Sequence, residues 1–417
     1  TWFKWNGGHW ERDISGSVTY AISRCVNAAR ATARNLTEAQ HNRICTYKMT
    51  RAIELLVASR PEIAVTSSAW DSDPWSLGTP CGVVNLKTGE LYDAPREAFV
   101  SRSVAVVPTA GDTPLFDSVI GRATQGDADL EKYLWRWFGY MLTGSCREES
   151  FLFIHGSAAS GKSTMIKTLA GILGDYARSC KPAMFEETKH EGHPTELAEL
   201  AGARLAYASE SSEGARFAEA KIKWLTGGDT ISAHFMRQDN FQFAPSHKIL
   251  IHGNHMPQLR SVGEEMRRRI HLVEFPGSIP EDQRDKNLKE KLEAEFPAIL
   301  HRMISGCLDW QAHGLGKPKH VTAATDDYLQ GEDTLGAWLQ DCADLGTGKT
   351  ARSADAYRSF KKWSDAAGEF CPSQKRFSRS LVARGYPIRR TSAGSVIDGF
   401  EINRSQEPDI SSGYGYD

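Results

Sequence analysis

No stretch of this chain is long and apolar enough to span a membrane, and no signal peptide opens it. Cysteines at metal spacing are missing too. The eight (25, 45, 81, 146, 180, 307, 342 and 371) are scattered without a C-x-x-C pair, so no zinc site is read and a reduced, intracellular protein is expected. Charge of one sign is lacking as well: 50 Lys and Arg face 52 Asp and Glu, a net of −2. Any nucleic-acid surface must therefore be a local concentration of cations. A starting methionine is absent; the chain begins at Thr1 inside a patterned segment, and a fragment of a longer polypeptide is expected. What is present is ordinary for a globular protein. The 417 residues are 40% hydrophobic and 24% charged, enough for two or three domains with sizeable cores.

The most informative stretch runs from 151 to 173. An apolar segment of strand length, FLFIH, leads into GSAASGKST at 156–164, and then Met165, Leu169 and Leu173 recur at helical spacing. Strand, glycine loop and helix are the context that gives G-x-x-x-x-G-K-[ST] its meaning. Gly156 and Gly161 free the backbone so that the N–H groups of Ser157, Ala158, Ala159 and Ser160 turn inward with the helix N-terminus, a cage for phosphate oxygens. Lys162 would reach the β- and γ-phosphates of ATP, and the hydroxyl of Ser163, followed by Thr164, would complete a Mg²⁺ shell. A plain Gly/Ser surface loop explains neither the flanking strand nor the lysine. By contrast, GTGKT at 346–350 has Ala343 where the first glycine belongs and no apolar strand before it, and reads as a loop.

Before this stretch, 1–145 reads as a mainly helical accessory domain. Aromatics flank Asn6-Gly-Gly, a hairpin with Trp5 packed on Trp10. A helical pattern spans 20–59, strand–turn–strand 82–91, and 129–143 is a helix with Leu130, Leu134, Trp137, Phe138 and Met141 on one face. After it, 203–210 is a strand ending in Glu210, the acid a P-loop ATPase needs for Mg²⁺ and water, or else a solvated strand end; Ser209 stands where a first acid is usual. At 226–243 two alternating runs flank a hairpin tip with Phe235, Met236, Arg237 and Gln238. Apolar and basic groups together suit a single DNA strand, against the bland reading of a surface turn. Strand 248–255 carries Asn254 at its end, able to orient water or touch a γ-phosphate. Arg267, Arg268 and Arg269 then precede a buried strand at 270–275, where an arginine could stabilise a transferring phosphoryl group, though a solvated patch is the alternative. Residues 281–295 read as a charged, solvated helix.

Beyond 331 a small domain is expected to 404. Helices at 354–363 and 373–384 precede a two-stranded wing, the order of a winged helix. Between 351 and 404 eleven basic side chains face five acidic ones, net +6, and Lys375, Arg376 and Arg379 sit where a recognition helix would meet DNA. Protein–protein winged helices are the alternative. Residues 405–417 read as a disordered tail.

The ordered set of phosphate loop, Ser209-Glu210, Thr226–Asp229 with its hairpin, Gly253-Asn254 and Arg268-Arg269 resembles the superfamily 3 helicases, in particular the primase-helicases of phages, plasmids and large DNA viruses, poxvirus-type proteins among them. Trp2–Asp13, 85–89 and 138–144 look like that family's region ahead of the ATPase. The resemblance implies an α/β, AAA+-like P-loop ATPase core with a central parallel sheet over 146–330. It further implies assembly into a ring, usually a hexamer, acting with ATP and Mg²⁺ on single-stranded and forked DNA in the cytoplasm of a phage's or plasmid's host cell. Lys162, Ser163 or Thr164, Glu210 and the sensor Asn254 would serve one subunit's nucleotide, and Arg268 or Arg269 the neighbour's. Relatives commonly carry an aromatic residue where Met266-Arg267 stands, and many carry a primase domain upstream. Two other functions remain open on sequence: an ATP-switched replication initiator or loader without processive unwinding, and a P-loop small-molecule kinase.

Overall fold

The computed structural model describes residues 1–33, 37–44, 46–188, 194–209, 215–259, 263–367, 371–391 and 394–403. They form two compact units, Thr1–Gln258 with Arg268–Thr325, and 259–267 with the chain from 326 on.

In the first unit a hairpin, β1 (Phe3–Trp5) and β2 (Trp10–Arg12), pairs Trp5 with Trp10 as expected, rings 5.6 Å apart. Helices α1 (Ser17–Thr32), α2 (Glu38–Ile44) and α3 (Tyr47–Ala58) follow, then an antiparallel sheet of β3 (Ser76–Thr79), β4 (Gly82–Asn85) and β5 (Glu90–Tyr92). Next come α4 (Pro114–Thr124), α5 (Ala128–Met141), β6 (Phe151–Gly156), α6 (Lys162–Leu173) and β7 (Ala177–Ser179). They are followed by α7 (Pro194–Ala198), β8 (Leu205–Ser209), α8 (Glu219–Thr226), the β9–β10 hairpin (Ile231–Ala233, Phe241–Phe243) and β11 (Lys248–Gly253). Helix α9 (Glu264–Arg269), most of which falls in the second unit, precedes β12 (Ile270–Phe275), α10 (Leu288–His313) and α11 (Lys319–Gly331), whose last residues also fall in the second unit.

Five strands form one parallel sheet in the order β12-β6-β11-β8-β7. The strand of the glycine loop is thus flanked by β12 and β11, and β8 lies one strand further away. Buried residues of α4, α5, α6 and α10 share a single hydrophobic core with residues of β6, β8, β11 and β12. The regions 1–145 and 146–330, separate in the sequence reading, meet in that core.

The centre of the core is the crossing of α5 and α10. Asp127 caps α5 by accepting from the N–H groups of Asp129 and Leu130 at 3.0 and 3.1 Å. The helix's second half is the more enclosed, with Tyr133, Leu134, Trp137, Phe138 and Met141 buried, while Asp129 and Lys132 stay exposed, the pattern of an amphipathic helix. Gly139 lies directly on the α10 backbone: a Cβ there would sit 2.0 Å from the Cys307 nitrogen. Reciprocally, a Cβ on Gly306 would sit 2.2 Å from the Trp135 carbonyl oxygen. The charged helix expected at 281–295 is present from 288 on, and its residues up to 294 are mostly exposed. The helix begins at Leu288, runs to His313 and buries Leu292, Ile299, Leu300, Met303, Cys307 and Trp310. Even Glu295 is not merely solvated, for its carboxylate accepts from the Leu115 and Phe116 N–H groups at 2.9 Å each, capping α4.

The second unit contains α12 (Thr334–Cys342), β13 (Ala343–Arg352), α13 (Ser353–Ala367), α14 (Gln374–Ala383), β14 (Ile388–Thr391) and β15 (Gly394–Ile402), with an antiparallel sheet β13-β15-β14. Trp338, Phe360, Phe377, Leu381, Ile397 and Phe400 form its core. The GTGKT stretch read as a loop lies within β13, whose register against β15 shifts between Leu345 and Thr350. The residues of the expected tail, 405–417, lie outside the described residues.

Gly139→Ala and Gly306→Ala test the helix crossing. Alanine should favour an isolated helix by about 1 kcal/mol, yet backbone clashes of this kind destabilise cores by at least 1–3 kcal/mol. A thermal melt of either variant is expected several degrees below wild type; an unchanged or raised midpoint contradicts the crossing.

Candidate functional site

The C-terminal end of β6 carries the glycine loop into α6. Gly156, at φ 155°, lies so near the end of β12 that a Cβ would come within 2.2 Å of the Phe275 carbonyl oxygen. Only glycine fits there. Ala159 (φ 58°) and Gly161 (φ 97°) complete a left-handed path that delivers the chain to the first turn of α6. The loop is fastened on its far side, where the Ser157 hydroxyl donates to the Gly277 carbonyl at 2.5 Å and the Ile279 N–H to the Ala159 carbonyl at 2.9 Å.

Lys162 is buried, and its ammonium turns back into the loop. It donates to the carbonyls of Gly156 and Ser157 at 2.6 Å each, to Ser160 Oγ at 3.1 Å and to Asn254 Oδ1 at 3.1 Å. Residues 158–164 and His252, Gly253 and Asn254 line a cleft of about 180 Å³. Register explains why these residues meet. β11 lies beside β6 with Gly253 opposite His155, so Asn254 emerges next to the loop. On the other side of β11, Ser209 at the end of β8 is level with His252. Glu210 follows it but lies outside the described residues. Ser163 is exposed and Thr164 half-buried in the cleft lining; hydroxyls at a helix N-terminus fit a Mg²⁺–phosphate group. His155, which the sequence reading passed over, joins the set: its Nε2 lies 3.1 Å from the Asn254 carbonyl oxygen. Its signal was its place as the penultimate residue of the loop strand.

Arg268 and Arg269 are not at this cleft. They end α9, and Ile270 pairs with Phe151 while Phe275 pairs with Gly156, so the arginines lie at the opposite end of the strands. Five residue steps at about 3.3 Å put that end roughly 16 Å from the loop. Both guanidiniums approach Glu149 Oε2 at 3.2 Å. They differ in exposure: the Arg268 side chain is 60% exposed, that of Arg269 8%.

The β9–β10 hairpin presents Phe235, Met236, Arg237 and Gln238 at its tip, all exposed. Phe235 stacks on Phe241 with centroids 5.7 Å apart, and Arg237 adopts a left-handed φ of 60° in the turn. In the second unit α14 buries Phe377 and Leu381 and exposes Lys375 and Arg379 on another face. The side chain of Arg376 lies outside the described residues.

Strongly shifted ionisations point to chemistry in many proteins, but here they lie elsewhere. Burial pulls Lys248 down to about 7 and His247 to about 4. Both lie at the start of β11, the end away from the cleft. The Lys248 ammonium donates to the Thr143, Ser145 and Ser246 carbonyls. Burial likewise lowers His271 to about 3, and its Nδ1 lies 2.5 Å from the Tyr133 hydroxyl. These groups join helix to sheet. Among the described residues no cluster of three or more His, Cys, Asp or Glu is placed to hold a metal ion, and no helix is long and apolar enough to cross a membrane.

A parallel sheet whose strand passes through a glycine loop into a helix, with a lysine turned into that loop, defines a mixed α/β protein with a P-loop core. Comparison with known proteins narrows this. Residues 1–125 match the family described as D5 N terminal like, and residues 154–269, from the loop strand to the arginines, match a family of unknown function, DUF5906. The "Putative helicase L207/L206" of Acanthamoeba polyphaga mimivirus is 25% identical over 367 residues, covering 81% of this chain and 38% of its own length. The chain therefore spans well under half of that relative. Two apo structures of the NrS-1 C terminal region are similar at 10% identity, with TM-scores of 0.49 and 0.48, covering 84% and 85% of this chain and 90% of theirs. The first 125 residues thus resemble the D5 N terminal like family, and most of the chain is similar to a putative helicase of a large DNA virus.

The two loop glycines separate sterics from backbone strain. Gly156→Ala meets a carbonyl, whereas a Cβ on Gly161 meets only Val119 at 4.0 Å. Titration with a fluorescent nucleoside triphosphate should show binding lost in Gly156→Ala. In Gly161→Ala it should be weakened by about tenfold, as 1–3 kcal/mol of strain implies. Equal affinities would contradict the loop geometry.

Proposed function

We propose that this chain is the motor region of a superfamily 3 DNA helicase that hydrolyses ATP between the subunits of a ring, a hexamer in the usual case. The observation that carries the reading is the position of Arg268. An exposed arginine on the same sheet as the phosphate loop, but at the far end of the strands, cannot reach its own subunit's nucleotide. It is free to reach another's. Lys162 would then hold the β- and γ-phosphates, Ser163 or Thr164 with Glu210 would hold Mg²⁺, and Asn254 would orient the attacking water. The metal would supply charge neutralisation across the phosphates. The strand order with β11 between β6 and β8 supports an AAA+-like core, since it sets Asn254 between the loop and the acid strand.

DNA contact is assigned to two places. The Phe235–Gln238 tip, with a cation among exposed apolar groups, suits one strand of DNA passing through the ring. The order α12, β13, α13, α14, β14, β15 supports a winged helix over 331–404, with Lys375, Arg376 and Arg379 toward a phosphate backbone. Region 1–145 serves as the accessory part ahead of the motor, and a primase upstream and a phage, plasmid or viral replication setting complete the reading.

Subunit mixing tests the arginine. Lys162→Ala and Arg268→Ala proteins should each be nearly inactive alone, because a finger arginine contributes about 10³–10⁵ in turnover. Mixed, they should regain ATP hydrolysis at junctions joining an intact loop to an intact arginine. No recovery overturns the trans-acting arginine, and full turnover of both Arg268→Ala and Arg269→Ala removes either as finger. For the hairpin, Arg237→Ala is expected to cut strand displacement and DNA-stimulated hydrolysis severalfold and leave basal hydrolysis near wild type, cation contacts to DNA being additive and salt-dependent. Unchanged displacement takes the hairpin out of the mechanism. DNA-stimulated hydrolysis without displacement would favour an initiator or loader.

A further inference from the structure

Glu149 has no part in the readings above, yet it stands at the start of β6, one residue before the buried Ser150. Its backbone is left-handed, φ 47°, a conformation that a residue with a long side chain adopts only at an energetic cost. The residues just before it are held in place. Its N–H donates to the Cys146 carbonyl at 3.0 Å. Arg147 lies over the Trp310 ring at 3.9 Å, and the Glu148 carboxylate accepts from Trp310 Nε1 at 2.7 Å. Glycine would suit this turn better on backbone grounds alone.

The side chain supplies a reason for glutamate. One oxygen, Oε2, lies 3.2 Å from Nη2 of both Arg268 and Arg269. Arg269 is nearly buried and cannot move far; Arg268 is mostly exposed. We propose that Glu149 is a positioning residue for the trans-acting arginine: the buried Arg269 fixes its carboxylate, and the carboxylate holds Arg268 extended at the surface for the neighbouring subunit's nucleotide. An exposed pair of this kind is weak and yields when phosphate is presented. Holding the guanidinium in place beforehand removes part of the ordering that the transition state would otherwise demand. The inference rests on the proposed trans role of Arg268.

The test uses the full chain. Glu149→Gln keeps the side chain's shape and an acceptor oxygen and removes the charge. Its kcat for ATP hydrolysis is expected to fall about tenfold with KM changed less than about twofold, at unchanged assembly mass and melting midpoint. Mixing it with Lys162→Ala subunits should restore hydrolysis, since its own loop is intact and the partner brings a correctly held arginine. Glu149→Gly, which relieves the left-handed backbone, should lose at least as much kcat. Wild-type kcat in either variant overturns the proposal, as does a loss that mixing does not restore, which would mark an effect on the fold or on the subunit's own loop. The two readings fail separately. If Arg268→Ala and Lys162→Ala complement but Glu149→Gln and Lys162→Ala do not, Glu149 alone is removed; if neither pair complements, the trans arginine falls first.

Discussion

Parallel pairing of β6 with β11 on one side and β12 on the other sets where each candidate group lies. In a parallel sheet every strand's start falls at one edge and every strand's end at the other. The register of Gly253 opposite His155 and of Phe275 opposite Gly156 brings the loop, Asn254 and the end of β12 to a single edge. It sends Glu149, Arg268 and Arg269 to the opposite one. Neither group could be moved without changing register, and a slip of one residue would turn every buried side chain of these strands to the other face. Lys162 bonding to Asn254 and Glu149 bonding to Arg268 are therefore consequences of one pairing.

The sheet in turn is held by what lies against its starting edge. Lys248, at the first position of β11, donates to carbonyls just beyond α5. Arg204, just before β8, donates to the Leu142 and Ser76 carbonyls and lies over the Tyr176 ring at 4.3 Å. Both cations are buried, and burial of a charge is tolerated only where several dipoles replace water. The carbonyls at the end of a helix are such dipoles, left without partners by the helix itself. The α5–α10 crossing can be close because Gly139 and Gly306 let backbone meet backbone. Together these contacts make the region ahead of the loop part of the same core, which is why a boundary near 145 has no counterpart in the packing of the unit.

What the sequence made legible were features with short-range causes. The glycine loop needs particular residues at fixed spacing; the hairpins need a turn between alternating runs; α5 has apolar residues at helical period. Elements whose cause is distant were misread. The charged first turns of α10 are exposed, as their composition suggests, but its continuation past Pro297 to His313, with Gly306 against α5, depends on a helix far earlier in the chain. Glu295 looked solvated because the N–H groups it caps belong to a helix far earlier in the chain. GTGKT is polar and glycine-rich, and only pairing with β15 makes it strand. Glu149 carried no signal at all: the partners of its side chain, Arg268 and Arg269, are more than a hundred residues away.

Under the proposed reading, the two edges of the sheet also fix the kind of assembly. A subunit that offers a loop at one edge and an arginine at the other uses two different surfaces, so its contacts are head-to-tail. Such contacts close into a ring or continue into a filament, depending only on the rotation between neighbours. Each junction then contains one subunit's Lys162 and the next subunit's Arg268. The start of β6 in one subunit, at Glu149, is set by contacts that also anchor the strand leading to that subunit's own loop. One strand would thus run between successive junctions, with Glu149 two residues before its first end and a phosphate loop at its last.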